Sequence, residues 1–318
     1  MTLFAPIHQP TAPTVAVDIA ADGIAAASLE WRAGQPVVAA HAVEPLAPGA
    51  LVPSLTALNT HHRAVVAGTL GRVLERVGRP RRIGLIVPDL VAKVSLVRFE
   101  KVPARAQDLE QLIRWQVRKT APFPIDEAQV SYTAGLDGPE GHEFVVALSR
   151  RSVIEEYEAL CAEFGAHAGI VDLATFNIVN AVLAGSRSEG FDSDWMLVNV
   201  SADSSSIAIV RGEHIIFFRN RAADAEGTLA DLVHQSAMYY EDRLSGGGFT
   251  RIVLAGAGGG DLDEARRELE QRLQLAVTPI DPRSAARLTD RIAAAPSLLD
   301  MLAPLVGLLL RDRDEATV

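Results

Sequence analysis

Three stretches of the sequence carry side chains suited to binding phosphate. The first contains Asp18, the second contains Asn199 and three consecutive serines, and the third is the glycine loop LAGAGGG, 254–260. A carboxylate can position magnesium, a hydroxyl can donate to phosphate, and glycine lets a backbone N–H approach closely. A glycine cluster between a strand and a helix is also typical of an ordinary turn. The residues that carry these groups are Asp18, Asn199, Ser204, Ser205, Gly256, Gly258 and Gly259.

The two polar turns lie at the same point of a repeated pattern. VDIAAD (17–22) and VNVSAD (198–203) each end an apolar strand, and a second strand, a glycine turn and a third strand follow in both cases. Helices come next in both halves, and Tyr239 and Tyr240 on the second-half helix are predicted to lie in the core. Two copies of a meander followed by helices are what an internal duplication predicts. Chance similarity of two short meanders is the alternative.

The polar stretch GSRSEGFDSD, 185–194, divides the chain into two parts. We predict a flexible segment over 1–13, a first lobe over 14–184 with a subdomain inserted at about 93–149, and a second lobe over 185–318. The closing run LLDMLAPLVGLLL is apolar nearly all round, which predicts a buried helix over 297–311 that packs back towards the first lobe. A helix lying on a membrane surface is the alternative.

The composition is that of a folded protein, with 318 residues of which 48% are hydrophobic and 22% charged. The formal net charge of −10 argues against a surface that coats nucleic acid. A single cysteine, Cys161, excludes an intrachain disulfide, and the histidines are scattered without the spacing of metal ligands. The first residues lack the charged and apolar regions of a signal peptide. These features predict a cytoplasmic protein without a metal site.

A duplicated chain of this kind resembles the fold shared by actin, sugar kinases and heat-shock ATPases. The resemblance implies an α/β protein with an actin-like (ribonuclease H-like) duplicated two-lobe fold, in which helices flank mixed sheets. Over about 14–311 the chain also resembles the PilM family of type IV pilus assembly proteins, which are relatives of the cell-division protein FtsA. Four stretches carry this resemblance: VAVDIAADGIAAASL, IRWQVRKTAPFPIDEAQVSY, VHQSAMYYEDRL followed by TRIVLAGAGGG, and PSLLDMLAPLVGLLLRD.

In proteins of this fold the first turn of each lobe binds phosphate and the glycine loop contacts adenosine. The resemblance therefore implies ATP with magnesium as the candidate cofactor, and Asp18, Asn199, Ser204, Ser205, Gly256, Gly258 and Gly259 as the candidate nucleotide-binding residues. Both turns depart from the family pattern, because Ala20 and Ala21 replace a glycine and a hydroxyl, while Asn199 and Ser201 replace an aspartate and a glycine. These changes remove groups for magnesium positioning and close approach. We expect no catalytic residue, no ATP hydrolysis, and weak nucleotide binding at most.

The family resemblance implies a cytoplasmic adaptor at the inner-membrane platform of a type IV pilus or a type II-like secretion machine. Such a protein binds the cytosolic N-terminal tail of a single-span, PilN-like membrane protein in a groove of its first lobe, and it is peripheral to the inner membrane through that partner. A homo-oligomer is compatible with this role. The alternatives are an actin-like ATPase, which needs intact acidic turns, and an FtsA-like membrane-associated assembly protein, which needs an exposed, amphipathic terminal helix.

The candidate partner-binding residues are Trp115, Arg118 and Phe123. Phe123 lies in a rigid Pro-Phe-Pro step. There it could form the bottom of a peptide-binding groove, or it could pack into the core at the end of a helix. Trp115 lies at the edge of the apolar stripe of its helix, where interface contact and packing between subdomains are both open. Arg118 belongs to a basic cluster with Arg114 and Lys119 that could meet an acidic tail or lipid headgroups, or form a solvated helix face.

Overall fold

The computed structural model describes residues 13–139, 141–186, 193–256, 262–290 and 292–311. In these residues the strands are β1 (Val15–Ile19), β2 (Gly23–Arg32), β3 (Gln35–Pro45), β4 (Arg82–Val87), β5 (Ala92–Phe99), β6 (Ala128–Gly138), β7 (Gly141–Arg150), β8 (His167–Leu173), β9 (Asp194–Val200), β10 (Ser204–Arg211), β11 (His214–Ala222), β12 (Arg251–Ala255), β13 (Val277–Pro279) and β14 (Arg287–Leu288). The α-helices are α1 (Arg63–Arg76), α2 (Ala106–Val117), α3 (Arg151–Ala162), α4 (Ala174–Ser186), α5 (Leu229–Arg243), α6 (Leu262–Leu273) and α7 (Pro296–Leu310).

Two sheets with the same internal order form the centre of the molecule. The first has the order β14–β3–β2–β1–β4–β8 and the second β11–β10–β9–β12–β13. Each sheet contains an antiparallel meander of three strands. The first strand of each meander, β1 or β9, also pairs in parallel with a later strand, β4 or β12. The turns after β1 and β9 close with equivalent hydrogen bonds, from the N–H of Ala20 to the carbonyl of Gly23 (2.9 Å) and from Ser201 to Ser204 (2.8 Å). The predicted fold class, a duplicated α/β fold with two lobes, is confirmed.

Helices α4 and α7 form a layer between the two sheets. Leu305 and Val306 of α7 pack with residues of the first sheet, whereas Ala303 packs with residues of the second. Most side chains of α7 are buried, as an all-round apolar sequence requires. The prediction of a buried closing helix is therefore confirmed. The alternatives that place this helix on a membrane surface, or expose it as an FtsA-like anchor, find no support in its burial.

The chain crosses between the lobes more than once. Helix α4 continues to Ser186, so the predicted end of the first lobe at 184 falls in its last turn. Beyond the second sheet, β14 pairs with β3 of the first sheet, although the sequence analysis assigned this stretch to the second lobe. The C-terminal part of the chain therefore returns to the first lobe at Arg287, before α7 begins. The predicted flexible segment 1–13 lies outside the described residues except for Pro13.

A small subdomain is inserted after β4. Its sheet has the order β5–β7–β6, and α2 covers one face of it. Ile113 and Val117 of α2 are buried against Phe144, Val146 and Leu148 of β7. Alternation along β7 places these three side chains on one face and leaves the intervening residues on the other. The subdomain thus has a core of its own on one face, its second face lines a groove with α3 and β8, and β5 and β6 also contact β11 of the second sheet.

The two tyrosines of α5 have different environments. Tyr240 is 1% exposed, its hydroxyl donates to Asp194 Oδ2 (2.7 Å), and its ring stacks on Phe249 at 4.4 Å between centroids. Tyr239 is 47% exposed and touches Phe217. Successive helical residues point about 100° apart, so one buried face cannot hold both rings. The core prediction is confirmed for Tyr240 and wrong for Tyr239.

Candidate functional site

The two polar turns meet in a cleft between the lobes. The cleft has a volume of about 290 Å³, and residues of both meander turns, of α4 and of α7 line it. Asp18 at the end of β1, Asn199 at the end of β9 and Gly256 after β12 all face this space. The structure therefore brings together three of the residues that the sequence analysis selected. Gly258 and Gly259 lie outside the described residues.

The serines after Asn199 do not act as one group. Ser204 is buried and its Oγ lies 3.0 Å from Ser201 Oγ, behind the cleft wall. Ser206 Oγ donates to Asp89 Oδ2 at 2.6 Å. Because side chains alternate along a strand, Ser205 points to the opposite face of β10, away from these two. The structure separates Ser205 from the cleft and leaves Ser204 already hydrogen-bonded within the protein.

A buried hydrogen-bond network crosses between the lobes beside the cleft. Asp89 follows β4 in the first lobe and is only 4% exposed. Its carboxylate accepts from the N–H of Thr175 at the start of α4 (3.1 Å), from the Thr175 hydroxyl, and from Ser206 of the second lobe. Asn199 Nδ2 in turn donates to Thr175 Oγ1 at 2.9 Å. The network ties the end of β4 to β9 and β10 through α4.

This network gives Asn199 a structural role that sequence reasoning missed. An aspartate at this position could not donate to Thr175, and it would add a second carboxylate beside Asp89. Asp89 itself was not among the candidate residues. The available signal was an ionisable residue directly after the buried strand that precedes Pro88, since a charge at such a place needs a partner.

Three backbone amides beside the cleft, those of Ala20, Ser201 and Gly256, are already hydrogen-bonded within the protein. Gly256 has φ +128°, and a Cβ there would lie 1.8 Å from the carbonyl oxygen of Val200, so only glycine fits. Its N–H donates to both carboxylate oxygens of Asp300 in α7, at 2.8 and 3.0 Å. The N–H groups of Ala20 and Ser201 close their own turns. A nucleotide would have to replace these bonds, so the arrangement fits magnesium-ATP poorly.

Negative charge dominates the described lining of the cleft. Its ionisable side chains are Asp18, Asp22, Glu44, Asp89, Asp203 and Asp300, and the described lining includes no lysine or arginine. Burial raises the pKa of Asp18 to about 7, and the charges of Asp22, Asp89 and Asp203 add to the effect. Burial also raises the pKa of Asp203, against the hydrogen bond from Ser201. Within the described residues no group of His, Cys, Asp and Glu is arranged to hold a metal ion.

We expect Asp18→Asn to stabilise the protein in a pH-dependent way. The pKa of Asp18 rises from an ordinary 3.8 to about 7 on folding, so ionisation costs stability as the pH increases across that interval. The cost is absent below about pH 4 and complete above about pH 7. The variant should exceed the wild type by roughly 2–4 kcal/mol at about pH 8 and match it at about pH 4 in urea denaturation. A gain of equal size at both pH values, or in the exposed control Asp224→Asn, would contradict this assignment.

A second concave surface lies between the subdomain and the first lobe. This groove has a volume of about 510 Å³ and is bounded by α3, β8 and the face of the small sheet that α2 does not cover. Its apolar residues are Val87, Ala92, Ala147, Ile154, Ile170, Val171 and Leu173, and its polar residues are Gln129, Ser131, Ser149, Arg151, Glu155, Glu158 and Asp172. Strand β8 is the outer strand of the first sheet, with β4 on its inner side.

The predicted partner-binding residues lie on the other side of the small sheet. Phe123 is partly buried and packs against the core under α2. Trp115 and Arg118 are exposed on the outer side of α2 and the turn after it. None of the three lines the groove. The groove residues escaped sequence reasoning because they come from five strands, β4–β8, and from α3, which are distant in the sequence.

The duplicated sheets, the helical layer and the interlobe cleft define a protein of the actin-like class. A sequence model for the family described as type IV pilus assembly protein PilM matches residues 16–242, which is more than half of the chain. The chain belongs to this family, and its role is in type IV pilus assembly. Among the described residues, no helix has the length and apolarity needed to cross a membrane.

Solved structures share the fold across most of the chain. One is a PilM-PilN type IV pilus biogenesis complex, with a TM-score of 0.79, 18% identity, and coverage of 95% of this chain and 97% of that chain. Another is a Bacteroides thetaiotaomicron protein described as having an actin-like ATPase fold and unknown function. It has a TM-score of 0.50, 10% identity, and coverage of 87% and 94%. At sequence identities of 18% and 10%, these two structures show that the fold is shared.

Proposed function

We propose that this protein is a cytoplasmic adaptor at the inner-membrane platform that assembles a type IV pilus. It binds the cytosolic N-terminal tail of a PilN-like, single-span membrane protein and is peripheral to the membrane through that partner. Membership of the PilM family supports a role in type IV pilus assembly. A structurally similar protein was solved in a PilM-PilN complex, and this supports a PilN-like partner. The groove between the subdomain and the first lobe is the observation that carries the proposal.

The groove has the features that recognise an extended peptide. An outer strand offers backbone N–H and carbonyl groups to an added strand, and β8 is such a strand. Ile170 and Val171 of β8 and Ala147 of β7 are partly exposed apolar groups in the groove. Main-chain hydrogen bonds would give affinity, and apolar contacts with alternate side chains would give specificity. The tail is therefore expected to bind as a strand with apolar anchors.

The charges of the groove suit the cytosolic side of a membrane protein. The described lining carries Glu155, Glu158 and Asp172 against one basic residue, Arg151, and Asp172 is also paired with Arg311. Cytoplasmic segments next to a membrane span carry an excess of lysine and arginine. A basic tail with apolar anchors would thus complement an apolar groove with an acidic rim. An acidic tail would not.

Nucleotide turnover is not part of the proposed function. The cleft is negative, the N–H groups of Ala20 and Ser201 are hydrogen-bonded within their turns, and Asn199 belongs to the network of Asp89. We expect no ATP hydrolysis. Weak binding of ATP with magnesium would leave the adaptor role intact, because the groove and the cleft are separate surfaces with different linings.

Replacing Ala147 with arginine tests the groove. The new side chain would fill the space above β7 and bring positive charge to the site of a basic tail, so affinity for the tail should fall about a hundredfold. The matched control is Ala134→Arg, which adds the same side chain to an exposed position of β6 outside the groove. Fluorescence anisotropy with a labelled tail peptide measures both. Unchanged affinity in a folded Ala147→Arg variant would place the binding surface elsewhere.

A further inference from the structure

The outer side of α2 is an exposed surface that the proposed function does not use. Ile113 and Val117 direct α2 onto the subdomain core, so the residues about half a turn away face solvent. At the C-terminal end of this outer side lie Trp115, Arg118 and Lys119, and all three are exposed. We call them the α2 patch. The small sheet separates the α2 patch from the groove.

Trp115 is exposed far beyond what the fold requires. It is 58% exposed, whereas Trp195 is 2% exposed in the core. Lys119 Nζ lies 5.2 Å from the centroid of the Trp115 ring, so an ammonium group and an indole share one surface. An indole combines a large apolar area with one polar N–H, and it is stabilised where apolar and polar phases meet.

The charge around the α2 patch is opposite to that of the protein. Residues 111–125 contain Arg114, Arg118 and Lys119 and no acidic residue, in a chain of net charge −10. The turn that carries Arg118 and Lys119 is fixed, because Lys93 Nζ donates to the carbonyl of Thr120 at 2.7 Å. Arg114 Nη2 donates to the carbonyl of Ile125 at 2.8 Å. Two exposed cations, Arg118 and Lys119, therefore lie beside the indole of Trp115 on an otherwise acidic molecule.

Helix electrostatics alone does not account for the α2 patch. Cations at the C-terminal end of a helix interact favourably with its dipole, which would explain Arg118 and Lys119. It does not explain a tryptophan on the same outer side. Basic side chains next to an exposed indole on a helix are the composition of surfaces that bind anionic membranes.

We propose that the α2 patch binds anionic phospholipid headgroups at a membrane surface. The cations neutralise lipid phosphate, and the indole of Trp115 enters the boundary between headgroups and acyl chains. The remaining negative surface of the protein is repelled by the same lipids, so the protein approaches with α2 foremost. This contact goes beyond capture of a partner tail. It would add to the tail contact through effective concentration once both surfaces are engaged.

Vesicles without any protein partner test the proposal independently of the tail. The wild type should co-sediment with vesicles of phosphatidylglycerol and phosphatidylethanolamine, should ignore vesicles of phosphatidylcholine, and should dissociate as salt rises. In a Trp31→Phe variant, Trp115 is the remaining strongly exposed indole. Its fluorescence should shift to the blue with the anionic vesicles only. Arg118→Gln with Lys119→Gln should weaken binding about thirtyfold, and Trp115→Ala should weaken it severalfold.

The matched control removes two exposed cations elsewhere. Arg81→Gln with Arg243→Gln changes the net charge equally and leaves the α2 patch intact. This variant should bind the anionic vesicles like the wild type. An equal loss in both double variants would reduce the effect to net charge and overturn the proposal. Absence of wild-type binding to anionic vesicles at low salt would also overturn the proposal. An acidic protein would then be the remaining candidate ligand of the α2 patch.

Discussion

Gly307→Ala should destabilise the protein by about 3 kcal/mol, although alanine is the better helix former. Gly307 lies where α7 crosses α4, and an added Cβ would sit 1.7 Å from the backbone oxygen of Asn177 and 3.0 Å from the N of Ala181. Both neighbours are backbone atoms of a packed helix, so no side-chain rotation relieves the overlap. The two helices that separate the lobes would have to move apart. Thermal denaturation should show a fall of roughly 6 °C or more.

The sign of the stability change distinguishes the effect of packing from that of helix propensity, because helix propensity alone would make a Gly→Ala substitution stabilising. Gly68 lies in α1, and an added Cβ there would meet only Arg72 Nη1 at 3.9 Å. Gly68→Ala should therefore stabilise the protein by up to about 1 kcal/mol. If Gly307→Ala behaves like Gly68→Ala, then α4 and α7 are not in close contact, and the described layer between the lobes is wrong.

Asn199→Asp should cost about 3 kcal/mol at neutral pH. The change is nearly isosteric and restores the aspartate that the family pattern expects. The carboxylate cannot donate to Thr175 Oγ1, and it lies in the network of the buried Asp89. Two neighbouring carboxylates in a buried site disfavour ionisation, so the new group should have a raised pKa. The loss of stability should be absent below about pH 4, the pKa of an unfolded aspartate, and should grow as pH rises.

Urea denaturation as a function of pH checks this expectation. The control is Asn180→Asp, which makes the same change at a partly buried position of α4 whose amide has only a long hydrogen bond of 3.4 Å to Asn177. The control should lose much less stability. An Asn199→Asp variant as stable as the wild type at about pH 8 would show that the network does not hold the lobes together.

The duplicated fold could be predicted because its signals are local. Val17–Asp22 and Val198–Asp203 each show a short apolar strand, a polar turn and a second strand, and this pattern depends only on neighbouring residues. The alternation of side chains along a strand is a local rule of this kind, and it also applies to the three serines of β10. Three consecutive serines of one strand cannot share a face, so Ser205 had to point away from Ser204 and Ser206.

The site depended on contacts between distant parts of the chain. Asp89 meets Thr175 and Ser206, and no property of any one segment indicates that these three residues are neighbours. The groove likewise forms where β8 passes the uncovered face of the subdomain sheet. Phe123 had two interpretations at the sequence level, and the structure places it in the subdomain core. The departures in the polar turns were visible in the sequence, whereas the hydrogen bond from Asn199 to Thr175 was not.

The central claim is that the groove captures the tail of a membrane partner without help from a nucleotide. Calorimetric titration of the wild type with a peptide of the cytosolic N-terminal tail of the PilN-like protein from the same organism tests it most directly. We predict one binding site with micromolar affinity, the same in the absence and presence of magnesium-ATP. The affinity should fall about a hundredfold in Ala147→Arg and be kept in Ala134→Arg. Absence of binding to the wild type, or binding only when magnesium-ATP is added, would contradict the account.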